Sequence, residues 1–160
     1  MIQTKKPPEG GLDKRRVYFI MDTDEMKYSL ISETIFLKFQ SQDDRRKYGG
    51  SCVIELQFCK AAVPEVMEDI FKHYDNWRND SLYVHGDSQF YTIYSSILGH
   101  GVYPNMKEGY FDPWGITYFK SCLIEEIIER AIQSKPVGYE VLVEWLNEAK
   151  KYNGFFVLGL

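Results

Sequence analysis

The chain has 160 residues, of which 44% are hydrophobic and 26% charged, so it has enough apolar side chains to form a core. This composition excludes a disordered tail, a collagen, a coiled coil and a membrane span. Aromatic residues make up 16% of the chain, and the net charge of −4 comes from an acidic excess in residues 61–160. Because phosphate backbones attract Lys and Arg, this balance argues against general nucleic-acid binding.

The N-terminal residues predict an arm in front of one domain. Pro7-Pro8 and Gly10-Gly11 interrupt residues 1–14, which we expect to be flexible, and the single domain is predicted over residues 15–160. The apolar run from Val17 to Met21 predicts a strand. No apolar segment of export-signal length stands near the N-terminus, so we expect the protein to be cytoplasmic.

Two further strands are predicted before residue 60. Residues 28–39 fit both a helical stripe and a period of two, and the alternation over 33–39 favours a strand. The polar residues 40–50 predict a loop, and the β-forming residues 51–59 predict the next strand. Together they predict an antiparallel pair with a long charged connection.

The middle of the chain alternates between helix and strand signals. Pro64 suits the first turn of a helix whose apolar residues repeat at helical spacing as far as Tyr74. Residues 82–85 predict a short strand. Asp87 is a suitable N-cap for the following helix, which Gly99 ends.

The last third predicts two helices and a terminal strand. Residues 99–115 are too broken by Pro and Gly for a regular element, and residues 116–119 form either a strand or the entry to a helix over 121–134. A helix over about 137–152 and a strand over 155–160 follow, the latter paired with the sheet because it is too apolar to stay exposed. We therefore predict an α+β fold: a single domain with a mixed, mainly antiparallel sheet and about four helices.

Signals for catalysis are weak. His85 and Asp87 stand at a strand-to-helix corner and could serve as base and orienting carboxylate in a small hydrolase or transferase, but Asp87 is already accounted for as an N-cap. Cys52, Cys59 and Cys122 have neither zinc-site nor redox spacing, and we expect reduced thiols in the core. We predict no metal site, no cofactor and no enzymatic activity.

The aromatic loop and one acidic helix are the candidate binding residues. Aromatic side chains in a loop rich in Pro and Gly either fold back onto the core or point outward as anchors for a partner. Carboxylates on the helix over 121–134 form either a solvated face or a docking surface for a basic protein. The predicted partner-binding residues are Tyr110, Phe111, Asp112, Trp114, Glu125 and Glu129.

The stretch Tyr-Phe-Asp-Pro-Trp-Gly-Ile-Thr-Tyr-Phe at 110–119, followed by the acidic helix from Ser121, resembles sequences of bacterial toxin immunity proteins, in particular those of contact-dependent growth inhibition. The resemblance is one of general character over residues 15–160. It implies tight binding of one cognate toxin domain, often a nuclease such as a ribonuclease, in the cytoplasm of the cell that makes both. It transfers no individual binding residue.

Overall fold

The computed structural model describes residues 18–20, 35–48, 54–62, 67–84 and 89–159. In these ranges eight strands form one sheet: Tyr18–Ile20 (β1), Phe36–Phe39 (β2), Ile54–Phe58 (β3), Leu82–Val84 (β4), Gly101–Val102 (β5), Glu108–Gly109 (β6), Ile116–Phe119 (β7) and Phe155–Leu158 (β8). The α-helices are Gln42–Tyr48 (α1), Gln89–Leu98 (α2), Ile124–Ser134 (α3) and Tyr139–Ala149 (α4), with short 3-10 helices at Met67–Lys72 and Ser121–Leu123.

The strand order is β1-β2-β4-β3-β8-β7-β5-β6, and within the described strands only the β1–β2 pair is parallel. The predicted mixed, mainly antiparallel α+β fold is therefore confirmed. The predicted pairing of β2 with β3 is wrong, because β4 lies between them: Val84 is the partner of Phe36 on one side and of Ile54 on the other. A turn-based argument pairs neighbours in sequence and cannot foresee the inserted strand.

The terminal strand β8 occupies the middle of the sheet. It is antiparallel to β3 on one side and to β7 on the other, so that Phe156 faces Gln57 and Tyr118. All four of its residues are buried. The prediction that this apolar tail pairs with the sheet is confirmed.

Helices α2, α3 and α4 cover one face of the sheet and form the main core with it. The helical periodicity predicts the inward-facing residues of these two helices, and all but one are buried: Ile124, Ile127, Ile128 and Ala131 of α3 and Val141, Leu142, Trp145, Leu146 and Ala149 of α4. Leu123, the remaining predicted residue, lies in the 3-10 helix before α3 and is partly buried against the core. Gly99 ends α2 with φ of 71°, as its sequence predicts. Residues 116–119, left open between strand and helix, are strand β7.

The opposite face carries two smaller apolar clusters, one around Tyr83 and one around Phe156. Helix α1 lies at the first of them, with the Tyr48 ring 5.6 Å from that of Phe39. The prediction of a loop over 40–50 is wrong here. The Ser41 hydroxyl accepts a hydrogen bond from Asp44 N at 3.1 Å, and acidic residues precede basic ones along the helix, so capping and charge order form a helix without an apolar stripe.

Two other elements differ from their predictions. The helix expected from Pro64 to Tyr74 is a 3-10 helix over Met67–Lys72 in the described residues. The chain after it is held against the sheet by hydrogen bonds of Gln57 and Arg78. Residues 99–115 are predicted to contain no regular element, and this prediction is wrong, because they contain the hairpin β5–β6. The predicted arm over residues 1–14 lies outside the described residues.

Candidate functional site

The aromatic loop is built on the β5–β6 hairpin at one edge of the sheet. Tyr103 N donates to Lys107 O at 2.9 Å, and Met106 N donates to Tyr103 O at 2.8 Å, closing a tight turn. Met106 takes a positive φ of 70°, and the side chain of Asn105 accepts a hydrogen bond from Lys107 N at 2.9 Å. Local hydrogen bonds therefore fix the loop that carries the aromatic residues.

Gly109 allows the Tyr103 ring to cross the hairpin. A Cβ at position 109 would lie 2.2 Å from the Tyr103 hydroxyl oxygen, so only glycine leaves room for this ring. The hydroxyl donates to the backbone oxygen of Tyr110. Desolvation first, and then the charges of Asp112 and Tyr91, raise the pKa of Tyr103.

The structure separates the predicted aromatic anchors. Trp114 is 74% exposed and Tyr110 is 46% exposed, whereas Phe111 is 1% exposed. The Phe111 ring packs 5.1 Å from Phe90 and 5.1 Å from Tyr91. Phe111, one of the predicted partner-binding residues, therefore has its ring in the core under the loop.

Asp112 organises the turn that presents Trp114. Its Oδ1 accepts a hydrogen bond from Trp114 N at 2.9 Å, and its own N donates to Thr117 Oγ1 at 2.9 Å. Gly115 N donates to Asp112 O at 3.3 Å and closes the turn. The carboxylate thus has a structural role in addition to its charge.

The acidic face of α3 is solvent-exposed at Glu125, Glu126 and Glu129. Glu125 forms an ion pair with Lys150 of α4, and Glu126 forms an i,i+4 pair with Arg130 at 3.1 Å. These pairs join α3 to α4 and to itself, not to the aromatic loop. The loop residues are thus one group of predicted binding residues, and the α3 carboxylates are a second.

Two aromatic residues near the loop escaped the sequence analysis. Tyr91 of α2 is 40% exposed and borders Phe111, and His100 packs against the Tyr110 ring with 4.7 Å between ring centroids. A helical wheel of α2 would have placed Tyr91 beside the buried Phe90, at the margin of the inward face. No local pattern marks His100, because its contact with Tyr110 arises only when the hairpin folds.

A second polar cluster lies buried on the opposite face of the sheet. Oε1 of Glu55 accepts hydrogen bonds from Ser81 Oγ at 2.7 Å, from Gln57 Nε2 at 3.0 Å and from Tyr83 OH at 3.2 Å. Burial raises the pKa of Glu55 against the lowering effect of these bonds. Every donor here is also part of the sheet or of the chain that leads into it, which is typical of a structural network.

Arg78 completes this network by fastening residues 73–81 to the sheet. Its guanidinium pairs with Asp75 at 2.5 Å and donates to Phe58 O at 2.6 Å and to His73 O at 3.2 Å. Gln57 accepts from Asp75 N at 2.8 Å. The side chains of this cluster are hydrogen-bonded to one another and to the backbone, so the cluster holds the chain in place.

A cavity of about 310 Å³ lies between α4 and the sheet. The Phe58 ring at its base is stacked 4.2 Å from Trp145 and 4.8 Å from Tyr152. Its described lining contains charges of both signs and neither His nor Cys: Lys38, Phe58, Asp80, Val141, Glu144, Trp145, Glu148 and Tyr152. The described lining of the cavity therefore offers carboxylates, an amine and a phenol, but no imidazole or thiol.

The other candidate reactive residues are the three cysteines, His85 and Asp87. Cys59 is buried, as expected of a core thiol, and this burial raises the pKa of the thiol. Cys122 in the second 3-10 helix is exposed, so the prediction of a buried thiol is wrong for Cys122. Cys52, His85 and Asp87 lie outside the described residues. In the parts of the chain that the structure describes, no three His, Cys, Asp or Glu residues are grouped so that they could hold a metal ion.

No family model matches the chain, and searches of curated proteins and of solved structures give no match. Among the described residues, no helix combines the length and the apolar character needed to cross a membrane. The surface around the aromatic loop, called here the loop surface and formed by Tyr91, Tyr103, Tyr110, Asp112 and Trp114, is thus the leading candidate site on geometry alone.

Proposed function

We propose that this protein binds a basic protein partner through its loop surface, and that the partner is a cognate bacterial toxin domain which it neutralises as an immunity protein. The observation that carries the proposal is the exposure of Trp114, at 74%, on a turn fixed by the Asp112 side chain. A large ring on a turn whose backbone is fixed by hydrogen bonds costs less entropy to bury than one on a mobile loop. Tryptophan and tyrosine are the side chains that most often dominate binding energy at interfaces.

The charge of the protein suits a nuclease partner, and the class that we propose is a ribonuclease. A nuclease must present Lys and Arg to phosphates, and this chain carries a net charge of −4 with exposed carboxylates at Glu125 and Glu129. Opposite potentials speed association, while buried aromatic anchors slow dissociation. The inhibitor would then occlude the basic active-site cleft, in the cytoplasm of the cell that makes both proteins.

The test starts from the gene immediately upstream. If that gene encodes a large exported protein with a variable C-terminal domain, this domain is produced and its affinity for the full chain is measured by calorimetry, together with its cleavage of total RNA. We expect a tight complex that abolishes cleavage. A domain that neither binds nor is inhibited would contradict the proposal.

Matched variants locate the interface. Trp114→Ala removes an exposed anchor and should weaken binding by about 30-fold, as expected for an interface hot spot. Tyr74→Leu replaces a ring that is 36% exposed and packs against Phe156 on the face of the sheet opposite α3, and should leave the affinity unchanged. Equal weakening by both variants would place the interface elsewhere.

The electrostatic part is tested separately. Asp112→Asn combined with Glu125→Lys removes negative charge from the two groups while the asparagine can still accept the hydrogen bond from Trp114 N. We expect slower association and a weaker dependence on salt between low and physiological ionic strength. An unchanged rate and salt dependence would remove charge complementarity from the proposal.

A further inference from the structure

Three tyrosines and one carboxylate of the loop surface meet at residues 110–112. The Tyr103 hydroxyl donates to the backbone oxygen of Tyr110, and the Tyr91 ring lies 5.1 Å from that of Phe111, which stands between Tyr110 and Asp112 in the chain. These residues come from α2, from the hairpin and from the turn after it. The cluster therefore exists only in the folded protein.

Contacts with neighbouring rings hold Tyr91 and Tyr110 of this cluster in place. Tyr91 packs edge-on against the buried Phe111, with 5.1 Å between centroids at 66°, and Tyr110 packs against His100 at 4.7 Å and 83°. Even so, Tyr91 is 40% exposed and Tyr110 is 46% exposed. Fixed, exposed ring surface of this kind is available to a ligand without a large rearrangement.

The charge of the cluster is negative. Within residues 100–115, Lys107 and Glu108 have opposite charges, so Asp112 sets the net sign. One of its oxygens, Oδ1, accepts from Trp114 N, which leaves the carboxylate able to accept further hydrogen bonds. Tyrosine ring faces and hydroxyl oxygens beside a carboxylate suit a cation, and above all a planar one that can stack and donate at the same time.

We propose that Tyr91, Tyr103, Tyr110 and Asp112 form a subsite for the guanidinium group of an arginine side chain on the partner. The guanidinium stacks on the exposed tyrosine rings and donates hydrogen bonds to the Asp112 carboxylate. The identity of the arginine's carrier rests on the proposed function, whereas the subsite itself rests on the geometry of these four residues. An ammonium group fits less well, because it is more strongly hydrated and cannot stack.

The test uses two short peptides that differ in one charge: acetyl-glycyl-arginyl-glycinamide and its citrulline counterpart, which has the same shape without the charge. Each is titrated into the full chain labelled with ¹³C in its tyrosine rings, and the ring signals are followed by NMR. We expect the arginine peptide, and not the citrulline peptide, to shift the signals of Tyr91, Tyr103 and Tyr110. The signal of Tyr74, which is 36% exposed and packs against Phe156 on the other face of the sheet, is the internal control.

Variants then separate charge from ring surface. Tyr110→Leu and Asp112→Asn should each weaken binding of the arginine peptide by about fivefold, as expected when a cation loses a ring face or its counter-charge. Tyr74→Leu should leave binding unchanged. Equal shifts with both peptides, or a Tyr74 response as large as that of Tyr110, would overturn the subsite.

The toxin domain from the proposed-function experiment separates the two proposals. Binding of the domain with no response to the arginine peptide would overturn the subsite and leave the proposed function standing. A response to the peptide with no binding of the domain would overturn the proposed function and support a subsite for arginine. In the case where both bind, Tyr110→Leu should weaken both.

Discussion

Glu55 and Tyr83 are direct partners across β3 and β4, and the hydroxyl of Tyr83 lies 3.2 Å from Oε1 of Glu55. Glu55 is 6% exposed and Tyr83 is 0% exposed, so a carboxylate sits in the interior of the sheet with hydrogen bonds as its compensation. Ser81 and Gln57 supply two more of these bonds. Because burial outweighs these bonds, the pKa of Glu55 is raised above its ordinary value.

This raised pKa predicts how Glu55→Gln changes the stability of the protein with pH. The folded protein holds the proton of Glu55 more tightly than the unfolded chain, so the stability from this group is complete below the unfolded pKa and is lost as pH rises through the folded pKa. The glutamine has no such dependence. We therefore expect the free energy of unfolding of Glu55→Gln, relative to wild type, to increase as pH rises.

Urea unfolding at a series of pH values between about 4 and 8 measures this difference, spanning the ordinary pKa of a glutamate and the range above it. Glu129→Gln, which removes an exposed carboxylate of α3, is the matched control and should give a nearly constant difference. If wild type instead gained stability over Glu55→Gln as pH rose, the carboxylate would be better satisfied in the folded protein than in water.

The elements that the sequence predicts correctly are those whose apolar residues repeat over three or more turns or form an unbroken run. In α4, Val141, Leu142 and Trp145 mark the inward face without reference to the rest of the fold, and Phe155 to Leu158 require a buried strand. Helix α1 has no buried residue, so periodicity could not detect it. Its Ser41 cap and charge order were visible in the sequence, but a polar segment with such signals also forms loops.

The candidate site was predictable only in part. Proline, glycine and aromatic residues identify the loop, but whether a ring points inward depends on a turn that Asp112 and Gly115 make together. Phe111 and Trp114 are three positions apart and have opposite environments for that reason. Tyr91 joins the site from a helix that precedes the loop, a contact that no local pattern encodes.

A single methyl group added at position 154 should lower the free energy of unfolding strongly. It links α4 to β8 with φ of 80°, and a Cβ there would lie 2.1 Å from the backbone oxygen of Phe119. Gly154→Ala should therefore destabilise the protein by more than the about 1–2 kcal/mol that a left-handed alanine costs by itself. Gly99→Ala is the matched control, because its φ is 71° and its Cβ would meet a side-chain nitrogen of Arg130 at 3.0 Å and no backbone atom. Equal losses in urea unfolding would show that the backbone near Phe119 moves aside at little cost.

Removal of an aromatic ring from the loop should lower the free energy of unfolding strongly at Phe111 and hardly at all at Trp114. Phe111→Ala leaves a cavity beside Phe90 and should lower the free energy of unfolding by about 3–5 kcal/mol, as buried phenylalanines do. Trp114→Ala removes a ring that is 74% exposed and should change the free energy of unfolding by no more than about 0.5 kcal/mol. Urea denaturation of the two variants beside wild type measures both values. A loss of several kcal/mol from Trp114→Ala would mean that its ring stabilises the turn, and would disqualify that variant as a test of partner binding.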